Sequence, residues 1–326
     1  MKINSLLLIV ALVLSAVFPF PAAAHGDLGK LTTPIQNLCI RALTSPKILL
    51  DNPVGVKFDV EKALKLSKEI QKKSPDFAQV IEGLVALTPP PSRGTRIAKR
   101  AIDITVASIG LLATAPLYPI IATAFKLDSP GPVFYLQERS GKLSENTSGD
   151  LATDISQSTF KMYKFRSMRV DAEAKTGAVI ASKDDPRVTR VGKFLRKSRL
   201  DEIPQFINVL KGDMSVVGPR PERGDILLKM TVAVPYFAER MRNVKPGITG
   251  LAQVSLSYSG GALDSTPSST SSEPLTKEQQ LAADFQSKLL YDMIYKSSMR
   301  NVGSFLVTEL WIIVKTPLTM IRGTGR

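Results

Sequence analysis

The residues most able to do chemistry in this chain are two neighbouring carboxylates and an arginine flanked by prolines. Asp201 and Glu202 lie in the basic stretch RKSRLDEIPQF, and Pro219-Arg220-Pro221 follows shortly after it. The two prolines restrict the backbone around Arg220, so its guanidinium can offer a preset fork to a diphosphate. A simple turn between two elements is the alternative explanation of Pro-Arg-Pro. Taken together, these residues predict phosphate chemistry.

Pro204 predicts that the acidic pair lies at the start of a helix. Proline is tolerated in the first helical turn, and the helix-compatible stretch QFINVL follows it. The N–H groups and the dipole of a helix N-terminus favour bound phosphate and lower the pKa of a nucleophilic carboxylate. Arg196, Lys197 and Arg199 act in the same direction. Considered alone, the pair would more commonly be the cap of a surface helix.

The residue inventory excludes several other mechanisms. The only histidine is His25, which lies in a signal-like N-terminal segment. Imidazole acid–base catalysis, a serine triad and histidine metal sites are therefore not expected. The single cysteine, Cys39, permits no internal disulfide and is better explained as a small apolar residue. Carboxylates must carry the chemistry.

An uncharged segment over residues 104–125 is about 33 Å long as a straight helix, enough to cross the hydrocarbon core. Pro116 and Pro119 interrupt it, and basic residues flank it on both sides. The positive-inside rule would keep both ends cytoplasmic, which predicts a helix that enters the membrane, breaks near Pro116 and returns. A kinked spanning helix and a buried core helix are the alternatives.

The charge of the chain favours an anionic partner. Its formal net charge is +14, and 44% of its residues are hydrophobic. Nucleic acid would fit the charge, but the basic residues cluster beside apolar segments, and no zinc spacing or RNA-binding aromatic motif accompanies them. We therefore expect membrane lipid and nucleotide phosphates as partners, and no nucleic acid.

From about Arg96 to its end, the chain resembles the bacterial sugar transferases, the monotopic polyprenyl-phosphate phosphoglycosyl transferases. The resemblance rests on several long motifs in the family's order. These are KRAIDI at 99–104, the apolar segment that follows it, SPGPVFYLQERSG at 129–141, FKMYKFRSMRVDAE at 160–173, DDPRVTRVGKFLRKSRLDEIPQFINVLKGDMSVVGPRPE at 184–222 and VKPGITGLAQV at 244–254.

This resemblance implies a two-step transfer. Asp201 would attack a UDP-sugar, release UMP and carry the sugar phosphate to a polyprenyl phosphate, expected to be undecaprenyl phosphate. Glu202 would bind Mg²⁺, a hard cation that prefers carboxylate and phosphate oxygens. Arg220 would hold the phosphates.

Four further basic residues are candidates for binding the phosphates. Arg196 is the next candidate after Arg220. Lys161, Lys164 and Arg166, all in FKMYKFRSM, could complete the basic lining. An alternating strand with solvated charges explains FKMYKFRSM equally well.

The fold class that we expect is α-rich α+β, with a re-entrant helix hairpin at 104–125 and a small cytoplasmic catalytic domain over 96–326. Interfacial amphipathic helices should accompany it, such as Asn301 to Ile321 with Trp311 as an anchor, unless that segment is a core helix. The resemblance places this domain on the cytoplasmic face of the bacterial inner membrane. A homodimer is left open.

Two departures from the family pattern concern loops and sugar choice. The Ser/Thr/Gly-rich stretches 142–159 and 256–280 are expected to be inserted loops. Leu251 stands where the family usually has tryptophan, so the sugar is not predicted. A catalytically inactive regulator or scaffold of a polysaccharide assembly complex is the alternative function, although both acidic residues are present. A glycosyltransferase that releases UDP is a second enzymatic alternative.

The N-terminal part divides into two regions. Residues 1–24 have the form of a cleavable signal, but the many basic residues that follow favour an uncleaved anchor with its C-terminal side inside. Residues 25–95 resemble amphipathic helices followed by the linker TPPPSRG. We expect a regulatory or spacing role for this region.

Overall fold

A computed structural model describes residues 77, 81, 84, 85, 88–143, 157–172, 185–234, 236–256 and 277–322. The predicted anchor at 1–24, most of the region 25–95 and most of both predicted loops lie outside these residues. The described helices are α1 Arg93–Thr114, α2 Leu117–Asp128, α3 Arg190–Ser198, α4 Gln205–Lys211, α5 Gly224–Ala233, α6 Leu251–Ser255, α7 Lys277–Ser298 and α8 Val302–Arg322. The strands are β1 Phe134–Leu143, β2 Gln157–Phe165, β3 Ser215–Val217 and β4 Gly247–Thr249. A helix-rich fold with few strands is thereby confirmed.

The predicted membrane segment forms two helices that meet at a bend of 58°. Ser92 begins α1 by accepting a hydrogen bond from the Thr95 amide at 3.1 Å. Pro116 begins α2, and Pro119 lies in the first turn, where its missing N–H costs no helical bond. The helical segment extends from Arg93 to Asp128, beyond the predicted limits of 104–125 at both ends.

The strands form two small sheets. β1 and β2 pair antiparallel, with Phe134 opposite Phe165 and Glu138 opposite Lys161. β3 and β4 pair parallel, with Ser215 opposite Gly247. The second pair is reinforced where β3 ends, because the Gly218 amide donates to the Thr249 carbonyl at 2.8 Å.

Glycine at 247 permits the closest approach in this second sheet. The Gly247 amide donates to the Pro219 carbonyl at 2.9 Å, and a Cβ on Gly247 would lie 2.1 Å from the Gly218 nitrogen. No side chain fits there without moving the backbone. The close contact fixes the segment directly after β3, which leads to Arg220.

One buried cluster lies between α1, α4, β3, α7 and α8, and it includes Ala107, Val209, Val216, Tyr295 and Phe305. A second cluster joins α5, α7 and the helical residues Ile81 and Leu84, which precede α1. The part of 25–95 that the structure describes thus packs against the remainder of the chain. This packing buries apolar surface and contributes to stability.

Helix α8 has two unlike faces. Phe305, Glu309 and Ile312 are completely buried, whereas Trp311 and Val314 are 46% and 66% exposed. Within the described residues, Val302–Met320 is the one single helix long and apolar enough to cross a membrane, and the bent α1–α2 pair passes the same test together. Because its inner face packs on the domain, α8 is not a free-standing helix.

Candidate functional site

The acidic pair lies in a single 3₁₀ turn, Leu200–Glu202, between α3 and α4. Arg199 ends α3 in the left-handed region at φ 58°, which redirects the chain into this turn. Pro204 then begins α4. The pair thus lies just before α4, at the helix N-terminus that the sequence predicts, in a 3₁₀ turn of its own.

Glu202 is held by two cations. Its Oε1 accepts hydrogen bonds from Lys164 Nζ at 3.1 Å and from Arg220 Nη2 at 3.2 Å. Burial opposes ionisation of Glu202, but Lys164, Arg220 and Arg199 outweigh burial and hold the pKa of this carboxyl well below its usual range. Glu202 is therefore ionised at neutral pH. The structure thus brings together Lys164, Glu202 and Arg220, all three of which are candidate site residues from the sequence.

Asp201 has a different environment from its neighbour. The residue is only 9% exposed, and its Oδ1 accepts no hydrogen bond from the described residues. Burial, and next the charge of Glu202, raise the pKa of Asp201 to about 6, although Lys164, Arg199 and Arg196 act against them. The sequence-based expectation of a lowered pKa is wrong, because desolvation outweighs the nearby positive charges.

The backbone of Arg220 is also braced. Arg240 donates through Nη2 to the Arg220 carbonyl and through Nη1 to Asp292 Oδ2, the latter at 2.9 Å. Glu222 Oε1 lies 3.8 Å from the same guanidinium. Arg240 and Asp292 are almost completely buried. We did not identify either residue from the sequence, because contacts between residues 52 apart leave no local pattern.

Asn208 connects the strand that carries Lys164 to the helix that follows the acidic pair. Its Nδ2 donates to the Lys161 carbonyl at 2.8 Å, and its Oδ1 accepts from the Tyr163 amide at 2.9 Å. The side chain is fully buried. It therefore joins β2 to α4 and fixes Lys164 relative to Glu202. Sequence reasoning missed this residue, although it lies within the INVLKGD motif.

Arg139 adds further positive charge near Arg220. Its Nη1 donates to the Pro221 carbonyl at 3.2 Å. Burial, and next the charge of Arg220, lower the pKa of Arg139 to about 10, so the guanidinium still carries its charge at neutral pH. Lys164, Arg139 and Arg220 thus surround the acidic pair with cations. A diphosphate, which carries several negative charges, would be attracted to this site.

The other predicted phosphate ligands are placed differently. Arg166 donates to the carbonyls of Pro130 and Ser129 at 2.7 and 3.1 Å, and its guanidinium lies over the Phe125 ring. This buried side chain fixes the turn after α2. Arg196 is partly buried in the last turn of α3, from which its charge lowers the pKa of Asp201.

An additional groove of about 600 Å³ lies along α8 and contacts none of the acidic-site residues. It is lined mainly by apolar side chains, with Lys315 at its edge. Lys315 Nζ lies 4.2 Å from the centre of the Trp311 ring. The groove is suited to an apolar occupant rather than to a nucleotide sugar.

Comparison with known proteins agrees with the geometry. Residues 94–323 match the model of a family described as bacterial sugar transferase. A Bacillus subtilis protein, provisionally named undecaprenyl-phosphate N-acetylgalactosaminyl 1-phosphate transferase, is 46% identical over 46% of this chain and 70% of its own length.

Two longer relatives are similar in the same way. The Aeromonas hydrophila UDP-N-acetylgalactosamine-undecaprenyl-phosphate N-acetylgalactosaminephosphotransferase is 43% identical over 70% of this chain and 44% of its own length. The Escherichia coli UDP-glucose:undecaprenyl-phosphate glucose-1-phosphate transferase is 44% identical over 51% of this chain and 32% of its own length. The chain therefore spans less than half of each of these two proteins.

Proposed function

Because the chain belongs to the bacterial sugar transferase family, we propose that it transfers a sugar-1-phosphate from a UDP-sugar to a polyprenyl phosphate and releases UMP. The names of the three relatives support undecaprenyl phosphate as the acceptor. One observation carries the proposal: buried Asp201 has an oxygen without a hydrogen bond from the described residues, beside a Glu202 held by Lys164 and Arg220. One carboxylate is thus available to react, while its neighbour is fixed.

In the first step, an oxygen of ionised Asp201 attacks the β-phosphorus of the UDP-sugar. A bond forms between Asp201 and this phosphorus, and the bond from phosphorus to the bridging oxygen breaks. UMP leaves with that oxygen and its electron pair. Burial deprives Asp201 of solvating water, which favours attack once the substrate is bound. Arg220, Lys164 and Arg139 supply positive charge to the phosphate oxygens.

In the second step, a phosphate oxygen of the polyprenyl phosphate attacks the same phosphorus. The bond to Asp201 breaks, the carboxylate is regenerated and the product is a polyprenyl diphosphate sugar. The covalent step divides one difficult displacement into two. This sequence balances without an oxidant or a reductant.

A magnesium ion fits the donor set of the site. Within the described part of the chain, no group of three or more His, Cys, Asp or Glu side chains could hold a metal ion alone. Mg²⁺ is usually bound by one or two carboxylates together with substrate phosphates, and Asp201 and Glu202 offer such carboxylates. Glu202 would hold the ion, which would supply charge neutralisation to the diphosphate.

The apolar elements suit an acceptor that resides in the lipid. We propose that the bent α1–α2 pair enters the membrane from the cytoplasmic face and returns, and that the exposed face of α8 lies in the interface. Both arrangements would hold the acidic pair close to the lipid phosphate. The inner membrane of a bacterium, with the catalytic domain in the cytoplasm, is the corresponding location.

The test is nucleotide release by the full chain in nanodiscs that contain undecaprenyl phosphate, with Mg²⁺ and a panel of UDP-sugars. We expect UMP with the native chain, no UMP with Asp201→Asn, and unchanged release with Asp171→Asn, the same change at an exposed residue. The native chain should also yield an Asp201 peptide heavier by one sugar phosphate when the acceptor is omitted. Release of UDP, or of no nucleotide with any sugar, would overturn the proposal.

A further inference from the structure

Helix α1 contacts both chain segments that carry the acidic site. Arg100 donates through Nη1 to the Val209 carbonyl at 2.6 Å and through Nη2 to the Leu210 carbonyl at 2.8 Å. These carbonyls belong to the last turn of α4, where helical carbonyls lack intrahelical partners. The guanidinium gives the Leu210 carbonyl a donor and the Val209 carbonyl a second one beside the Gly212 amide at 3.1 Å, and it complements the negative end of the helix dipole.

Asp103 holds the second segment, β3. Its Oδ1 accepts from Ser215 Oγ at 2.8 Å, from the Val216 amide at 2.9 Å and from Lys99 Nζ at 3.2 Å. Asp103 is 2% exposed, so these bonds replace its lost hydration. Lys99 also pairs with buried Glu309 of α8, which fixes the lysine in place.

The two contacts come from neighbouring positions on one helix. Arg100 and Asp103 are three residues apart, a spacing that places side chains on the same face of an α-helix. The segment held by Arg100 begins three residues after Glu202, and the segment held by Asp103 ends three residues before Arg220. Helix α1 thus connects the two ends of the Glu202–Arg220 pair, whose charged atoms lie 3.2 Å apart.

We infer that Arg100 and Asp103 are positioning residues that set the distance between Arg220 and the acidic pair. This inference rests on the proposed function, since the distance matters only if Arg220 holds a substrate phosphate beside Asp201. Neither residue needs to touch the substrate. The helix that we propose to enter the membrane would then also define the catalytic geometry, so the membrane element and the site would move as one unit.

A double-mutant cycle tests whether Asp103 acts through Arg220. In the full chain in nanodiscs, we expect Asp103→Ala to lower kcat for UMP release by about tenfold or more, because small misplacements of catalytic groups cost up to about a hundredfold. In an Arg220→Gln background, the same change should cost less than about twofold, because coupled residues are not additive. If Asp103→Ala lowers kcat by the same factor in both backgrounds, the two residues act independently and the inference is overturned.

Two further variants distinguish a positioning role from misfolding or general destabilisation. Arg100→Gln loosens the contact with α4 and should show the same coupling to Arg220→Gln, even if Asp103→Ala fails to fold. Ser92→Ala removes the N-terminal cap of the same helix without contacting α4 or β3. We expect Ser92→Ala to keep UMP release within about twofold of the native rate. A loss in Ser92→Ala as large as that in Asp103→Ala would indicate general destabilisation and overturn the inference.

Hydrogen exchange supplies a measurement that does not depend on turnover. The Val216 amide donates to Asp103, so Asp103→Ala should increase exchange in the peptide that covers 214–220, whereas Ser92→Ala should not. If the native chain releases no UMP, the proposed function fails, and this comparison still tests whether Asp103 holds β3. Equal exchange in both variants would overturn the positioning role.

Discussion

Lys164 Nζ lies 3.1 Å from Glu202 Oε1 and joins strand β2 to the turn that carries both carboxylates. Both side chains are largely buried. Burial lowers the pKa of Lys164, while the charges of Glu202 and Asp201 raise it and that of Arg220 lowers it. The ion pair therefore fixes Glu202 and also acts on its neighbour, since the charge of Lys164 lowers the pKa of Asp201.

Replacing Lys164 by Gln should move the acid limb of the pH–rate profile to higher pH. The lost positive charge no longer favours ionised Asp201, so its pKa rises further and less nucleophile is present at neutral pH. A charge-assisted hydrogen bond contributes about 1.5–3 kcal/mol, which corresponds to a loss of about 10- to 150-fold in kcat/KM. The measurement is UMP release between pH 5 and 9.

The matched control for this prediction is Lys161→Gln. Lys161 is exposed on the same strand and loses the same charge. We expect its profile to follow that of the native chain. An unshifted acid limb in Lys164→Gln would show that this lysine does not influence ionisation of the nucleophile.

The native chain should lose its first chemical step on acidification through pH 6. In the proposed mechanism Asp201 attacks only when ionised, and its pKa of about 6 is raised above the usual value. At pH 7 the carboxylate form dominates, while each pH unit below 6 should lower the rate about tenfold. The measurement is the UMP burst in a single turnover without lipid acceptor, because the acceptor phosphate titrates in the same range.

One outcome of the burst experiment would contradict the predicted loss of rate below pH 6. A rate that stays constant down to pH 4 would mean that Asp201 keeps an ordinary or lowered pKa. The desolvation described for its carboxyl would then not govern the reaction. Protein recovered from low pH should regain its full burst at pH 7, which excludes irreversible unfolding as the cause of the loss.

Which residues form the candidate site could largely be predicted from local sequence, whereas the electrostatics of the site could not. The spacing of Asp201, Glu202 and Arg220 identifies the acidic pair and its cation, and Pro116 identifies the helix break. These features can be read from short stretches of sequence, because a proline restricts the backbone at its own position and adjacent charges lie together in any fold. The raised pKa of Asp201 depends on burial by distant residues, which no short pattern encodes.

Assignments for basic residues were the least predictable from sequence. Lys164 and Arg166 lie two positions apart in one motif, yet one pairs with Glu202 and the other holds the carbonyls after α2. Residues two apart in a strand lie on the same face of the sheet. Strand β2 ends at Phe165, so this rule does not apply to Arg166. The brace formed by Arg240 and Asp292 likewise requires the assembled fold.

Replacing Arg240 by Leu should destabilise the chain by about 3–5 kcal/mol, because it leaves buried carboxylates without their cation. Asp292 and Glu222 both face this guanidinium, which is 1% exposed. The loss should be measured as the free energy of unfolding in urea, with the protein held in detergent. A loss below about 1 kcal/mol would show that the brace is energetically neutral.

The control for the brace is Lys211→Met. Lys211 Nζ lies 3.9 Å from Asp213, and the lysine side chain is 53% exposed. Exposed ion pairs of this kind contribute about 0–1 kcal/mol, so this variant should unfold almost as the native chain does. A similar loss in both variants would mean that the general charge balance, rather than the buried brace, sets stability.

The outer face of α8 should bind the membrane. Leu310 and Val314 are 54% and 66% exposed and flank Trp311 one turn apart. Changing both residues to Asp should lower partitioning to anionic vesicles about 100-fold or more, since burial of each such side chain contributes about 1.5–3 kcal/mol. Adding the same two charges to α7, as Gln280→Asp with Ala283→Asp, should have a much smaller effect. Equal losses in both variants would show that repulsion by net charge, and not the apolar face of α8, governs binding. Vesicle sedimentation in high salt separates the two causes, because salt screens the repulsion between charges.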